Sequence, residues 1–310
     1  MLTKPIDILQ LFPIRKSKTQ KEAFRTAVQS YGESLGYKVT VEKGSFGSRN
    51  VVIGDPENAK YLVTAHYDTP ASIGLPNFIT PCNPFVYILW QFVLVGALVV
   101  ISILAGLVFF LITGNDAWAP TAALTVYWVL LLLMMFGPAN KSNANDNTSG
   151  VVTVLEIAAS IPQIHRNKVC FVLFDLEEAG LIGSASYRSS HKKATQDQIV
   201  LNLDCVGDGD HILFFPTKKL KRDRRKLNPI YTCCGQFGKK YVSIRDRGFA
   251  VYPSDQKNFP YAVGIAALNK GKVGLYMSRI HTKKDVCLDQ TNVNILRAAI
   301  CTLISCDAAQ

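Results

Sequence analysis

Between Thr69 and Asn140 the chain carries a single charged residue, Asp116. Pro84–Thr113 is a run of 30 uncharged residues rich in Val, Leu, Ile and Phe. Ala117–Gly137 is a second such run and contains Trp128-Val-Leu-Leu-Leu-Leu-Met-Met-Phe136. As a helix the first run would be ~45 Å long, more than the ~30 Å hydrocarbon core of a bilayer, so it must tilt or project. Only Gly114-Asn115-Asp116 separates the runs. So short a link predicts a helical hairpin whose two ends return to the same side of a membrane, with spans at about 84–113 and 117–137. The competing reading is a pair of buried helices in a soluble core. Two uncharged runs of membrane-spanning length argue against it.

All 34 Lys and Arg residues lie outside this segment, whereas the hairpin tip has one acid and no base. By the positive-inside rule the bulk of the chain is expected in the cytoplasm, as the polar part of a two-span integral membrane protein. The N-terminal Met-Leu-Thr-Lys-Pro-Ile-Asp has no apolar core, so no secretory signal is expected there. The eight cysteines lack CxxC spacing and read as reduced thiols. With 48% hydrophobic and 18% charged residues, the chain is not disordered.

Residues 82–138 therefore read as an insertion, and 1–81 with 139–310 as one domain. Outside the insertion, strand-like and helical patterns alternate. Helices are predicted over Gln20–Leu35, Gly150–Ala159, Leu181–Ser189 and Asn292–Cys306. Tyr37–Glu42 and Asn50–Ile53 suggest a β-hairpin. Tyr61–Ala65, Val169–Phe174 and Ile199–Leu203 are short apolar runs of the kind buried in a sheet covered on both faces. The pattern predicts an α/β fold, a three-layer α/β/α sandwich around a mixed, mostly parallel sheet.

Ligands bind such sheets where the carboxyl ends of strands meet loops. Here His66 and Asp68 follow the first buried run, Glu177 and Glu178 the second, and Asp204 closes the third. Asp146 precedes the helix beginning near Ser149, and His281 follows Val273–Met277. Carboxylates packed together must take up protons or hold cations. Imidazole and oxygen donors suit Zn²⁺, with Mn²⁺ or Co²⁺ as alternatives. The adjacent acids Glu177 and Glu178 allow one to ligate while the other moves protons. The bland alternative is a solvated acidic loop at a strand end.

Five segments together resemble the zinc-dependent aminopeptidase family that also contains glutamate carboxypeptidase-like and glutaminyl cyclase-like members. They are Thr64-Ala-His66-Tyr-Asp68, Asn145-Asp146-Asn-Thr-Ser-Gly150, Phe174-Asp-Leu-Glu177-Glu178-Ala-Gly-Leu-Ile-Gly-Ser184, Asn202-Leu-Asp204-Cys-Val-Gly207 and Ile280-His281-Thr-Lys-Lys-Asp285. The resemblance implies a co-catalytic pair of zinc ions. Asp146 would bridge them, His66 and Asp204 would complete one site, and Glu178 and His281 the other. Glu177 would be the general base for a water between the metals, Asp68 would orient His66, and Asp285 would play a comparable supporting part. The implied activity is removal of the N-terminal residue from a peptide. The alternatives are a related carboxypeptidase, a glutaminyl cyclase-like enzyme, or a non-catalytic membrane receptor or scaffold on the same fold.

One departure is Ser254-Asp255-Gln256, where the family often has Ser-Asp-His; altered substrate contacts are expected there. The larger departure is the hairpin. Asp146 follows it closely, which predicts a metal site near the membrane surface and a substrate that arrives along the bilayer or is itself apolar. Lys218–Lys226 has seven bases in nine residues and suggests contact with anionic lipid. Without interleaved aromatics it does not suggest nucleic acid. Tyr252 and Tyr276 are candidate oxyanion donors, and Gly96 and Gly106 candidate sites of close helix packing.

Overall fold

The computed structural model describes residues 2–72 and 77–306. A short helical turn, α1 (Ile8–Leu11), precedes α2 (Lys18–Ser34). Ser17 caps α2 by accepting from the Gln20 N–H, while Gln20 Oε1 accepts from the Ser17 N–H. This reciprocal cap moves the helix start two residues ahead of the predicted one. Strands β1 (Val39–Lys43) and β2 (Arg49–Ile53) form the expected antiparallel hairpin, and β3 (Tyr61–His66) follows. After the helices α3 (Pro84–Thr113) and α4 (Ala119–Phe136) come α5 (Gly150–Ser160), β4 (Val169–Phe174), α6 (Ile182–Ser190) and β5 (Ile199–Leu203). The C-terminal third adds β6 (His211–Pro216), the short helices α7 (Lys218–Arg222) and α8 (Arg224–Leu227), β7 (Gly235–Phe237), β8 (Lys240–Ile244), β9 (Ala262–Gly271), β10 (Gly274–Tyr276) and α9 (Gln290–Cys306).

The sheet runs β1-β2-β4-β3-β5-β9-β6-β8-β7, with β10 paired to β9. Its centre, β4-β3-β5-β9, is parallel. The pairs β2–β4 and β9–β6 on either side are antiparallel, so the sheet is mixed with a parallel middle. Alternation sorts the central side chains into two layers. Val63, Ala65, Phe171, Leu173, Leu201 and Leu203 pack with residues of α2, α5 and α9. Leu62, Cys170, Val172, Phe174 and Val200 face the opposite way, toward Tyr187 of α6 and Phe259. Both faces are therefore dry, which is why these strands read as unbroken apolar runs.

Helix α3 begins at Asn83, whose Oδ1 accepts from the Val86 N–H, and ends at Gly114 with φ +64°. Both α3 and α4 are long and apolar enough to cross a membrane. Only 17% of the most apolar window of α3, and 0% of that of α4, is buried in the protein. Phe85, Phe92, Leu111 and Ile112 are each more than 70% exposed. Buried helices of a soluble core would be the reverse. The two helices meet at Gly106, where a Cβ would sit 2.8 Å from the Ala119 carbonyl oxygen and 2.9 Å from Ala123 Cβ. Gly96 faces open space, so of the two candidate glycines only Gly106 permits close approach. The hairpin is rooted at the carboxyl edge of the parallel strands. There the Ser72 and Asn140 N–H groups donate to Pro138 and Pro70, and Ile79 pairs with Met277.

The basic run Lys218–Lys226 lies at the other edge. Thr217 bonds to Ala262 at the start of β9, and Lys226 reaches Asp197, which precedes β5. Lys219 and Lys226 sit over the Tyr261 ring, and Arg224 pairs with Asp246. The run sits across the sheet from the hairpin roots, and Lys219, Arg224 and Lys226 already have partners.

Candidate metal centre

Three of the four central parallel strands deliver polar residues at their carboxyl ends. His66 closes β3, Asp204 follows β5, and Glu177 and Glu178 lie in the loop after β4. Asp146 sits in the turn before α5, and His281 in the loop after β10. Strain marks the same places. Leu176, Cys205 and His281 have φ of +56°, +57° and +60°. Each such non-glycine residue costs on the order of 1–3 kcal/mol and persists only where its surroundings hold it.

The six predicted residues line one cavity of about 190 Å³, with Asn77, Ile79, Cys205, Tyr252, Pro253 and Ile280 completing its walls. His66 Nε2 is 3.4 Å from Asp146 Oδ1 and 3.5 Å from Asp204 Oδ1. His281 Nε2 is 3.0 Å from Asp146 Oδ2 and 3.6 Å from Glu178 Oε2. The two oxygens of Asp146 thus face different partners, His66 and Asp204 on one side, His281 and Glu178 on the other. Donor atoms of His66, Glu177 and Asp204 lie within 4.8 Å of one another, as do those of His66, Asp146 and Glu178.

Such a cluster is costly without cations. Burial, with repulsion from neighbouring carboxylates, raises Glu177 and Glu178 well above the usual carboxylate range. Burial opposes charge on His66 and His281, yet the surrounding acids raise the proton affinity of both rings. Asp146, although buried, is held below its ordinary value by hydrogen bonds to both histidines. A divalent cation held among these donors would relieve the crowding of like charge. The donor set is nitrogen and carboxylate oxygen and fits zinc with open coordination positions. Cys205 Sγ lies 3.2 Å from Asp204 Oδ1, but burial pushes its thiol well above the ordinary range, so it is protonated.

The supporting acids take on more than the sequence suggests. Asp68 Oδ1 is 3.5 Å from His66 Nδ1, and the same carboxylate accepts the backbone N–H groups of Glu177 and Glu178. One side chain thereby positions both a histidine and the acidic loop. Asp285 accepts the N–H groups of Asn145 and Asp146 at 2.7 and 3.0 Å, fixing the segment that carries Asp146. Burial beside Asp146 pushes Asp285 up to about 8.

Three contributors escape sequence reasoning. Asn147 Oδ1 accepts from the N–H groups of Gly150 and Cys205, and its Nδ2 donates to Leu203, stitching the Asp146 turn to the end of β5. Asn145 Oδ1 accepts from the Gly207 N–H. Both lie inside a quoted segment, so their presence was legible but not their task. Arg15 is fully buried; its guanidinium donates to Phe12, Tyr67 and Thr148, with Asp68 and Asp146 keeping it charged while burial lowers it to about 10. No local pattern around Arg15 announces this.

Tyr252 lines the cavity, but its hydroxyl donates to the Asp204 carbonyl oxygen at 3.0 Å. Tyr276 packs on Phe78 instead. In the departing Ser-Asp-Gln segment, Gln256 is buried, accepts from Asn202 Nδ2 and donates to Tyr252. It does not line the cavity, so the departure alters packing behind the site.

Comparisons with known proteins bear on the chain's sequence and fold. The profile of peptidase family M28 matches residues 130–303, more than half of the chain. Over 67 residues the chain is 39% identical to aminopeptidase YwaD of Bacillus subtilis, a stretch that is 21% of this chain and only 15% of that protein. The fold is shared with LapA aminopeptidase of Legionella pneumophila (15% identity, TM-score 0.55, covering 97% of this chain and 69% of that one). It is shared also with a glutaminyl cyclase of Tannerella forsythia (16% identity, TM-score 0.59, covering 94% and 93%). A leucine aminopeptidase precursor of Bacteroides thetaiotaomicron is similar as well (16% identity, TM-score 0.57, covering 94% and 91%). The chain belongs to peptidase family M28.

Proposed function

We propose that this chain is a membrane-embedded metallo-aminopeptidase whose centre holds two zinc ions. The observation that carries the proposal is the division of Asp146. One oxygen lies beside His66 and the other beside His281, and each histidine has its own second carboxylate, Asp204 or Glu178. A pair of divalent ions held there would polarise the scissile carbonyl and make water a better nucleophile.

The protein's own part is proton transfer and positioning. Glu177 is half-buried at the same cavity, and its raised proton affinity suits a base that takes a proton from water and returns it to the leaving amine. Asp68 holds Glu177 through its backbone N–H, so the base is fixed relative to His66. The cavity of about 190 Å³ has Ile79, Ile280, Tyr252 and Pro253 in its walls and suits a small apolar residue at the substrate's N-terminus.

In this reading α3 and α4 cross the bilayer and the domain formed by residues 1–81 and 139–310 lies on the cytoplasmic side. Asn77 and Ile79 belong to the segment leading into α3 and also line the cavity, so the mouth of the site faces the membrane surface. A glutaminyl cyclase-like activity is the second reading, favoured by the likeness to the Tannerella forsythia enzyme. The full set of five metal-ligating residues favours peptide hydrolysis over it.

Hydrolysis of aminoacyl chromogenic substrates by the full chain, with and without a chelator, tests the proposal. Chelator-sensitive release of the chromophore is expected. Cyclisation of N-terminal glutamine without hydrolysis would favour the second reading, and neither activity at full metal loading would refute both.

A further inference from the structure

A second recess opens on the same edge of the sheet as the metal centre. It has a volume of about 540 Å³ and is lined by Lys16, Lys18, Lys21, Arg25, Lys43 and Arg49, with Asp175 as its one acid. Asp175 is already satisfied: it pairs with Lys21 at 2.5 Å and accepts the backbone N–H groups of Arg49 and Leu176. Among the described residues, Lys21 is the one base of the six with a carboxylate partner. Bases converge here from the start of α2 and from both strands of the β1–β2 hairpin, elements brought together only by the fold.

The surroundings say which anion fits. Lys16 and Lys21 also line an adjoining recess of about 280 Å³, whose other walls include Met135 and Phe136 at the end of α4 and Glu178 of the metal centre. The basic recess is therefore continuous with the root of the apolar hairpin. At its rim Phe46, held at φ +52° in the β1–β2 turn, is 89% exposed. Unpaired bases beside an exposed aromatic side chain, next to a membrane helix end, match the interfacial layer of a bilayer, where aromatic rings and cationic heads both settle.

We propose that this recess binds the phosphate of an anionic lipid headgroup. Lys18, Lys43 and Arg49 supply the charge at the opening, Lys16 links the recess to the hairpin root, and Phe46 enters the interface beside it. Binding there would hold the mouth of the metal centre against the leaflet surface. This role is the one expected of Lys218–Lys226, relocated to bases that lack a carboxylate partner among the described residues and lie on the hairpin's side of the sheet. It rests on the membrane reading given above.

The test uses the full chain in detergent, with native mass spectrometry counting retained phosphatidylglycerol against phosphatidylcholine. The wild type should retain phosphatidylglycerol selectively. The triple change Lys18→Glu, Lys43→Glu and Arg49→Glu should lower retention at least ~10-fold, while Lys221→Glu with Arg225→Glu on the opposite edge leaves it unchanged. Thermal unfolding of each variant verifies that it is folded, and retention by the wild type should fall as salt rises. Undiminished retention by the triple variant would overturn the proposal. So would equal binding of inorganic phosphate without preference for the lipid, or a defect confined to turnover of acidic peptides. Alkaline carbonate extraction separates the two readings. Release of the wild type from membranes would remove the hairpin reading and this proposal with it, whereas an embedded chain indifferent to anionic lipid would sink the proposal alone.

Discussion

The two halves of the candidate centre contain the same chemistry, one imidazole and one carboxylate on either side of Asp146, but they are built differently. His66 and Asp204 extend directly from adjacent parallel strands, and the His66 side chain is 1% exposed. His281 and Glu178 come from loops, and the His281 side chain is 19% exposed. Neither His66 Nδ1 nor His281 Nδ1 makes a hydrogen bond among the described residues, but His66 Nδ1 has Asp68 Oδ1 behind it at 3.5 Å. The strand-borne half is thus fixed by the sheet, whereas the loop-borne half depends on Asp146 and on the bond from the Glu178 N–H to Asp68. Equal ligand sets need not hold metal equally: backing and rigidity set the difference.

The comparison fails outright if Asp146 is not the shared element. Asp146→Ala should strip both ions and bring peptide turnover to background, read by metal analysis and chromogenic assay together. Glu177→Gln spares both halves. It should keep full metal content while kcat falls by ~10²–10⁴, the usual contribution of a general base; normal turnover would remove Glu177 from that role. Chelator titration then sharpens the contrast. The ion beside His281 should leave first, and His281→Ala should lose one ion while His66→Ala, which removes the better supported half, loses more. Asp68→Asn should weaken metal binding or turnover by ~10–100-fold, since it loosens His66 and the Glu177–Glu178 loop at once.

The smallest effect concerns pH. Burial raises Asp285 to about 8 and Asp255 to about 7, and the neighbouring acids raise His66 and His281. In each case the fold binds a proton that the unfolded chain gives up sooner. The metal-free chain should therefore lose stability as pH rises from about 4 toward about 8. Asp68 and Asp146 are lowered, so their contribution has the opposite sign and is lost only as pH falls below the ordinary carboxylate range. Chelator-treated chain should melt at a higher temperature near pH ~5 than near pH ~8, and zinc should reverse that order by favouring the ionised carboxylates.

What the sequence disclosed follows from how local each signal is. The runs Val169–Phe174 and Ile199–Leu203 match β4 and β5 to the residue, because a strand buried on both faces must be apolar throughout. The hairpin was equally plain, since charge is excluded from both of its helices. Strands β6 to β9 passed unannounced. β6 and β9 pair with strands far along the chain, and β7 and β8, although a local hairpin, form a half-exposed edge with no unbroken apolar run. The site followed the same logic. Its acids and histidines stood at strand ends inside quoted segments, but Arg15 reaches Tyr67 and Thr148 across long stretches of chain. The basic recess was hidden for the same reason. Lys18, Lys43 and Arg49 are scattered singly, whereas the conspicuous run at Lys218–Lys226 folded against Tyr261, Asp197 and Asp246.

The central claim is that one carboxylate, Asp146, is shared by two metal positions. Zinc content of the purified full chain, determined by mass spectrometry in parallel with the Asp146→Ala and His281→Ala variants, addresses it most directly. Two ions per wild-type chain, one in His281→Ala and none in Asp146→Ala are predicted. A wild type that binds no zinc, or an Asp146→Ala chain that still carries two ions, would contradict the account.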